Sequence, residues 1–278
     1  MDGDRPVDDP GSAAADRAPD GGADDVDAGR VARVADALAG AETAAALTGA
    51  GVSAASGVPT FRGEDGVWET EFDPADFEYG RFRRDPAGFW RDRIDLHDAL
   101  FGDDPEPNAA HDALVRLEAL GALDAVLTQN TDGLHAAAGS ERVVELHGSA
   151  RRVACEACGA RYDAGPVRER AAAGELPPRC ECGGPLKPDV VLFGEALPQE
   201  RLAEARRLAR DADVFLAVGS SLTVEPAASL PRTASRSGRL VVVNLDPTDV
   251  DGLADAVFRA DVTAVLPALA EAVAERVD

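Results

Sequence analysis

Four cysteines carry the plainest chemistry in the chain: Cys155-Glu-Ala-Cys158, then 21 residues, then Cys180-Glu-Cys182. Glycine follows each pair, at Gly159 and Gly183, which suits tight knuckles that turn two thiolates toward one ion. Four soft ligands at this spacing fit tetrahedral zinc, and with no open coordination position the metal would be structural. Two disulfides would use the same four residues, but a chain with no other cysteine and no export signal is expected in a reducing compartment. The second pair is one residue shorter than the usual Cys-x-x-Cys, which alters the knuckle without removing a ligand.

A second chemistry is suggested by Thr48-Gly49-Ala50-Gly51-Val52-Ser53, which follows a short apolar run. Here Gly49 and Gly51 would let the backbone turn tightly and approach a pyrophosphate, and a helix opening at Ser53 would aim its N–H groups at the same charge. An ordinary glycine turn accounts for the same letters. Two other apolar runs end in polar residues, the first in Thr128-Gln129-Asn130-Thr131-Asp132-Gly133 and the second in His147. At strand ends of a parallel sheet such residues line the crevice where ligands bind, although Asn and Asp are also common turn formers. Of the four histidines, His97 and His111 lie on expected helices with no catalytic partner in sequence, and His135 would cap or pack the turn after Asp132. His147 is the candidate general base.

These blocks occur in a fixed order: Gly49 to Arg62, Thr128 to His135, Leu146-His-Gly-Ser149, the cysteine pairs, Val190-Val-Leu-Phe-Gly-Glu195 and Gly219-Ser-Ser221. Together they resemble the sirtuin family of NAD-dependent protein deacylases, from about Arg30 to the C-terminus. The resemblance implies that NAD is consumed as a co-substrate and that the acyl group of an acylated protein lysine passes to ADP-ribose with release of nicotinamide. It makes His147, Asn130 and Asp132 the catalytic set. Cofactor contacts would come from Gly49, Ala50, Gly51, Ser53, Ala54, Thr60, Phe61, Arg62, Trp68, Gln129, Asn130, Thr131, Asp132, His147, Gly219, Ser220, Ser221, Asn244, Asp261 and Val262. Arg62 would support the cofactor loop, and Phe61 would shield the reacting centre from returning nicotinamide. Val190, Val191, Leu192, Phe193, Gly194 and Glu195 would receive the substrate peptide by strand addition, an ordinary internal strand being the alternative. Two letters depart from the family pattern, Thr60 where Asp is common and Thr131 where Ile is usual.

The elements that must hold these residues follow from periodicity and breakers. Apolar runs at 44–47, 123–127, 143–146, 214–218 and 240–244 read as strands. Helices are expected at 29–41, where Val31, Val34 and Leu38 recur, and at 108–120 with Gly121 as its stop, 199–210 and 262–277. Alternating strands and helices imply an α/β fold, a Rossmann-like doubly wound parallel sheet with a smaller zinc-binding plus helical domain. The expected parts are a disordered acidic tail over 1–28 and a catalytic domain over 29–278. Within the latter, the Rossmann-like part takes 29–63, 109–148 and 188–278, the aromatic-rich helical module 64–108 and the zinc module 149–187.

Composition narrows the function further. With 51 Asp plus Glu against 28 Lys plus Arg the net charge is −23, and Lys187 is the only lysine. Direct nucleic-acid binding through phosphates needs basic side chains and is not expected. No apolar run is long enough to span a membrane and no signal peptide is evident, so a cytoplasmic protein is expected. A dehydrogenase would want an acidic residue about twenty positions after the glycine turn, at a strand end, and none is placed there. A serine hydrolase would want a Gly-x-Ser-x-Gly elbow, which is absent. An ADP-ribosyltransferase of the same fold is the alternative that shares the pocket. So acidic a surface repels itself unless salt screens it. Thermal stability should therefore rise with salt concentration, and a melting midpoint highest in the most dilute salt would overturn that reading.

Overall fold

The computed structural model describes residues 26–60, 66–102 and 104–277. The strands, in chain order, are β1 (Ala44–Thr48), β2 (Ala125–Thr128), β3 (Val143–Glu145), β4 (Gly148–Cys155), β5 (Arg161–Asp163), β6 (Leu186–Val190), β7 (Val214–Val218), β8 (Arg239–Val243) and β9 (Ala256–Phe258). Six of them form one parallel sheet in the order β3-β2-β1-β7-β8-β9. The chain runs outward from β1 to one edge and then from β7 to the other. Loops leaving the carboxyl ends of β1 and β7 therefore part in opposite directions, and that divergence opens a crevice.

Every residue of β1 and β7 is buried, as expected for central parallel strands covered on both faces. Period-2 alternation splits β1: Ala44 and Ala46 face one core, Ala45 and Leu47 the other. The first core is closed by α1 (Ala28–Ala39), α5 (Ala109–Ala119) and α10 (Val262–Val277), and the second by α8 (Gln199–Asp211) and α9 (Leu230–Ala234). The last strand-end turn before β3 carries the short α6 (Leu134–Ala138).

A third core lies outside this sheet and is shared by two segments distant in sequence. Val67, Phe77, Phe82, Phe89 and Trp90 come from α2 (Val67–Thr70), α3 (Tyr79–Arg84), α4 (Pro86–Phe101) and the turn between the first two. Val153, Val167 and Leu186 come from the antiparallel sheet β5-β4-β6 and from α7 (Ala164–Ala172). Trp90 Nε1 donates to Leu186 O at 2.8 Å, so the indole's polar edge is satisfied where its body is buried. An ion-pair chain ties this unit to the large sheet: Glu145 at the end of β3 pairs with Arg152, and Asp189 Oδ2 accepts from Arg152 Nε at 3.2 Å and Arg161 Nε at 3.3 Å.

Several expectations shift. The acidic tail over 1–28 lies outside the described residues up to position 25, and Ala28, placed in that tail, is the first residue of α1, capped by Asp27 accepting from Arg30 N at 2.9 Å. That helix ends at Ala39, two residues early, because Gly40 takes over as its cap. Instead of an α-helix opening at Ser53, two consecutive 3₁₀ turns occupy Ala50–Val52 and Ala54–Ser56, stopped by Gly57 at φ +83°. The stretch 190–193 is not one extended strand. It leaves the sheet at Val190, and Glu195 N then donates to Leu192 O to close a turn through Gly194 at φ +81°. Among the described residues no helix is long and apolar enough to cross a membrane.

Asn108 does more than begin α5. Its Oδ1 accepts from Ala110 N at 2.9 Å as a helix cap, while Nδ2 donates to Val52 O and Ser56 Oγ, both at 2.9 Å, fastening the 3₁₀ turns to the helix. Asn108→Ala should cost about 2–4 kcal/mol, the cap plus two orphaned acceptors. Asn108→Asp keeps the acceptor and should recover the cap's share alone. Urea unfolding in which the aspartate variant matches wild type would remove the fastening role.

Candidate active site

The site is built on the loops after β1, β2 and β7. Gly49 and Gly51 are required here by contact between loops. A Cβ on Gly49 would lie 2.7 Å from Gly219 O, one on Gly51 2.9 Å from Gly219 Cα, and one on Gly219, at φ +59°, 2.6 Å from Val52 N. Gly49 itself is extended, at φ −127°. The two loops thus touch backbone to backbone, with Gly51 N donating to Gly219 O at 2.9 Å.

Across the crevice the loop after β2 is pinned by a fully buried hydroxyl. Ser53 Oγ donates to Asp132 Oδ2 at 2.8 Å and accepts from Asn130 Nδ2 at 3.1 Å, and that amide also reaches Gly49 O at 3.0 Å. The other Asp132 oxygen accepts from Leu134 N at 2.8 Å at the start of α6. Asn130 and Asp132 are 6% and 8% exposed, so these are fixed groups and not solvated turn formers. Their backbone is held as well. Arg151 Nε donates to Asp132 O at 2.8 Å and Ala150 N to Thr131 O at 2.8 Å, while Gln129 Nε2 donates to Ser220 Oγ at 2.8 Å, bridging to the loop after β7.

His147 lies two residues past β3 and immediately before β4. Its Nδ1 lies 3.0 Å from Gln129 O, and a carbonyl can only accept, so the proton sits on Nδ1 and leaves Nε2 with its lone pair free. Burial pushes the ring's pKa below the usual histidine value, against the opposing pull of that carbonyl. A neutral imidazole with one nitrogen fixed and the other open is a competent proton acceptor.

Beneath these groups lies a layer that residue types alone did not mark. Thr48 and Thr128 are register partners at the ends of β1 and β2, with Thr48 Oγ1 donating to Thr128 Oγ1 at 2.9 Å. His135 Nε2 meets Thr48 Oγ1 at 2.9 Å, and Thr128 Oγ1 accepts from Asn130 N at 3.1 Å. Burial first, and then His111, whose ring centre is 4.8 Å away, hold His135 neutral with a pKa of about 3. The one sequence signal for this layer was a threonine closing each of two successive apolar runs.

Other candidate positions fall at varied distances from this junction. Ala50 and Ala54 lie on the 3₁₀ turns. Thr60 O accepts from Val67 N at 3.0 Å, joining the two ends of the segment that holds Phe61 and Arg62, which lie outside the described residues. Trp68 packs on Phe77 and Phe193, with centroids 5.4 and 5.6 Å away, between the helical module and the expected peptide stretch. Ser221 Oγ lies 3.2 Å from Thr223 Oγ1. Asn244, past β8, donates from Nδ2 to Asp246 O, and Asp261 caps α10 through Thr263 N at 2.7 Å, with Val262 buried as the helix's first residue.

The peptide stretch is internally braced. Val191 N donates to His147 O at 2.9 Å, Leu192 N to Glu195 Oε2 at 2.7 Å and Phe193 N to Phe77 O at 3.3 Å. Lys187 Nζ clamps it from below through Val190 O at 2.9 Å and Glu195 Oε2 at 3.1 Å. Phe193 itself is 36% exposed. A cavity of about 420 Å³ runs beside Val190, Val191 and Glu195 toward Arg161 and Arg201, away from the glycine loops. Size therefore does not mark the site. The convergence of fixed polar groups at the strand-order reversal does.

The four cysteine sulfurs lie within 4.8 Å of one another, Cys155 to Cys182 at 3.5 Å and Cys158 to Cys180 at 3.6 Å. A tetrahedron with Zn–S near 2.3 Å has edges of about 3.8 Å, whereas a disulfide needs about 2.05 Å. The donor set fits zinc, and the shortened second pair still delivers both thiols. Gly184 makes this possible, since a Cβ there would meet Cys155 Sγ at 2.8 Å. Tyr162 Oη lies 3.1 Å from Cys180 Sγ, a contact the cysteine spacing gave no hint of.

A model of the Sir2 family matches residues 49–226. The chain belongs to the Sir2 family. It is 62% identical over 253 residues to an NAD-dependent protein deacetylase of Haloarcula marismortui, covering 90% of this chain and 97% of that protein. It is 44% identical over 246 residues to NAD-dependent protein deacylase 2 of Archaeoglobus fulgidus, covering 87% and 96%. Among solved structures, a Sir2 complex with a p53 peptide and NAD+ superposes with a TM-score of 0.77 at 36% identity, covering 86% of this chain and 96% of that one. A Sir2 homologue bound to NAD gives 0.78 at 38% identity, covering 88% and 94%.

In this Sir2-family chain the metal would lie at the far end of β4 from His147, so it would act through folding. Purified protein should contain one zinc per chain, and chelation or Cys155→Ala should lower the melting temperature and activity together. Metal analysis finding no zinc in folded, active protein would refute this.

Proposed function

We propose that the protein is an NAD-dependent protein-lysine deacetylase, with zinc as a structural ion. The observation that carries the reading is His147, its Nδ1–H spent on Gln129 O and its Nε2 open, beside the junction of Ser53, Asn130 and Asp132. NAD supplies the ribose that receives the acyl group and the nicotinamide that leaves as the lysine's acyl oxygen attacks C1′. The chain's own residues orient and exchange a proton. The Asn130 amide and the Asp132 carboxylate, immobilised by Ser53, fix the position of ribose and nicotinamide. His147 Nε2 takes the ribose hydroxyl proton as acyl transfer proceeds, and its Nδ1 bond keeps the ring from turning away. Gly49, Gly51 and Gly219 bring two backbone loops close enough to leave room for a pyrophosphate beside them.

Support for NAD and for a protein substrate comes from the relatives' activity and from the neighbours solved with NAD+ and a p53 peptide. The substrate is then the acylated lysine of another protein, read along Val190–Glu195. Because the 191–193 donors already have partners, strand addition there would require Leu192 N to exchange Glu195 for the peptide. An acidic surface and the lack of a membrane-spanning helix among the described residues favour a cytoplasmic enzyme acting on proteins, with no part for nucleic acid or lipid.

His147→Ala should remain folded and bind NAD while deacetylation of an acetyl-lysine peptide falls about 10²–10⁴-fold. The sign of the pH dependence follows from burial. A lowered pKa keeps the imidazole neutral to below the ordinary value of about 6.5, so the acid limb of kcat/KM should fall below that pH. Mass spectrometry should detect acetyl-ADP-ribose. Turnover within a few-fold of wild type in the variant, or ADP-ribosylated protein in place of acetyl-ADP-ribose, would overturn the assignment.

A further inference from the structure

Where α4 crosses the zinc-bearing unit, a small cleft of about 20 Å³, open on one side to solvent, is lined by Trp90, Arg93 and His97 of α4, Val153 of β4, Arg168 of α7 and Pro188 of β6. Trp90, Arg93 and His97 stand at i, i+3 and i+7, so one helix face presents a guanidinium among apolar walls. Arg93 is 8% exposed and, among the described residues, has neither an ion pair nor a hydrogen bond. Its charged neighbour is another cation, Arg168. Burial and that neighbour bring Arg93 down to about 10, which leaves it protonated at neutral pH. His97 Nδ1 is also buried without a hydrogen-bond partner, and the carboxylate nearest it, Asp98 at 3.5 Å, is turned to solvent.

A buried cation without a counter-charge is strongly destabilising, and here the buried Arg93 shares its cleft with the half-exposed Arg168 while no carboxylate among the described residues lines it. A water would satisfy the Arg93 N–H groups yet leave its buried positive charge uncompensated. The room between these side chains is narrow, about 20 Å³, so the group that reaches the Arg93 guanidinium is compact. We propose that this cleft binds one small monovalent anion of chloride size, held by Arg93 and Arg168, which locks α4 of the helical module onto β4 and α7 of the zinc module. This assignment is independent of the reaction at His147.

The test compares melting temperatures in potassium chloride and potassium gluconate at matched ionic strength. Wild type should melt higher in chloride, by on the order of 5 °C once chloride stands about a hundredfold above its Kd, and the increment should saturate. In Arg93→Met, which keeps the volume and removes the charge, the two midpoints should coincide. Should that variant not fold, Arg168→Gln is read in the same way. Crystals grown in bromide should show an anomalous peak within hydrogen-bond reach of both guanidiniums. Equal midpoints for wild type in the two salts, a full chloride increment in the variant, or no bromide peak beside an ordered Arg93 would each overturn the proposal.

Discussion

One buried hydroxyl, Ser53 Oγ, holds the functional half of this molecule in register. It stands in the loop after β1 and bonds two side chains of the loop after β2, so the separation of those loops is set by two hydrogen bonds of 2.8 and 3.1 Å. Charge-assisted bonds to a carboxylate are the stronger kind, and leaving Asp132 without its partner inside the fold would carry a full desolvation penalty. Everything that lies further out depends on this junction. Asp132 starts α6, which carries His135. That ring sits under Thr48, and Thr48 and Thr128 in turn support the Asn130 backbone. The circle closes on itself, so a small loop with little apolar surface is tied in place by hydrogen bonds.

How much of this was legible in the sequence depends on the kind of signal. Strands β7 and β2 and helices α5 and α10 are marked by periodicity and stops, with Gly121 at φ +70° closing α5 as its position implied. The conformation after Gly51 was not, because propensity cannot separate a short α-helix from two 3₁₀ turns when tertiary contacts decide. Asn108 reaching across to Val52 and Ser56 is one such contact. The sequence suggests a tight turn and an approach to pyrophosphate for the glycines there, yet the contact that demands Gly49 comes from Gly219, far along the chain. A residue's neighbours across a sheet are not written in its local window.

The same limit applies to histidine. His147 could be singled out by its place at the end of an apolar run, and its geometry supplies a tautomer that no sequence pattern carries. In sequence His111 shows no catalytic partner and His135 reads as packing the turn after Asp132; as side chains they are buried and paired ring to ring. Still, His135 belongs to the layer that aligns Asn130, so a structural role and a role in the site are here one role. Burial does the discriminating: His147 is partly open with one nitrogen free, whereas His135 is closed on all sides and held neutral.

Lys187 shows how composition and site geometry meet. In a chain of 278 residues it is the only lysine, and its amine is buried against Val190 O, Pro188 O and Glu195 Oε2. Arginine could not replace it there, since a planar fork cannot aim three donors at carbonyls spaced around one point, while an ammonium can. The position therefore retains a lysine where every other basic site is arginine. Because Glu195 also accepts from Leu192 N, the ion pair braces the turn through Gly194 from inside. An enzyme that handles acylated lysine thus keeps its own single lysine out of reach, fixed as a strut beneath the surface that would receive another protein's.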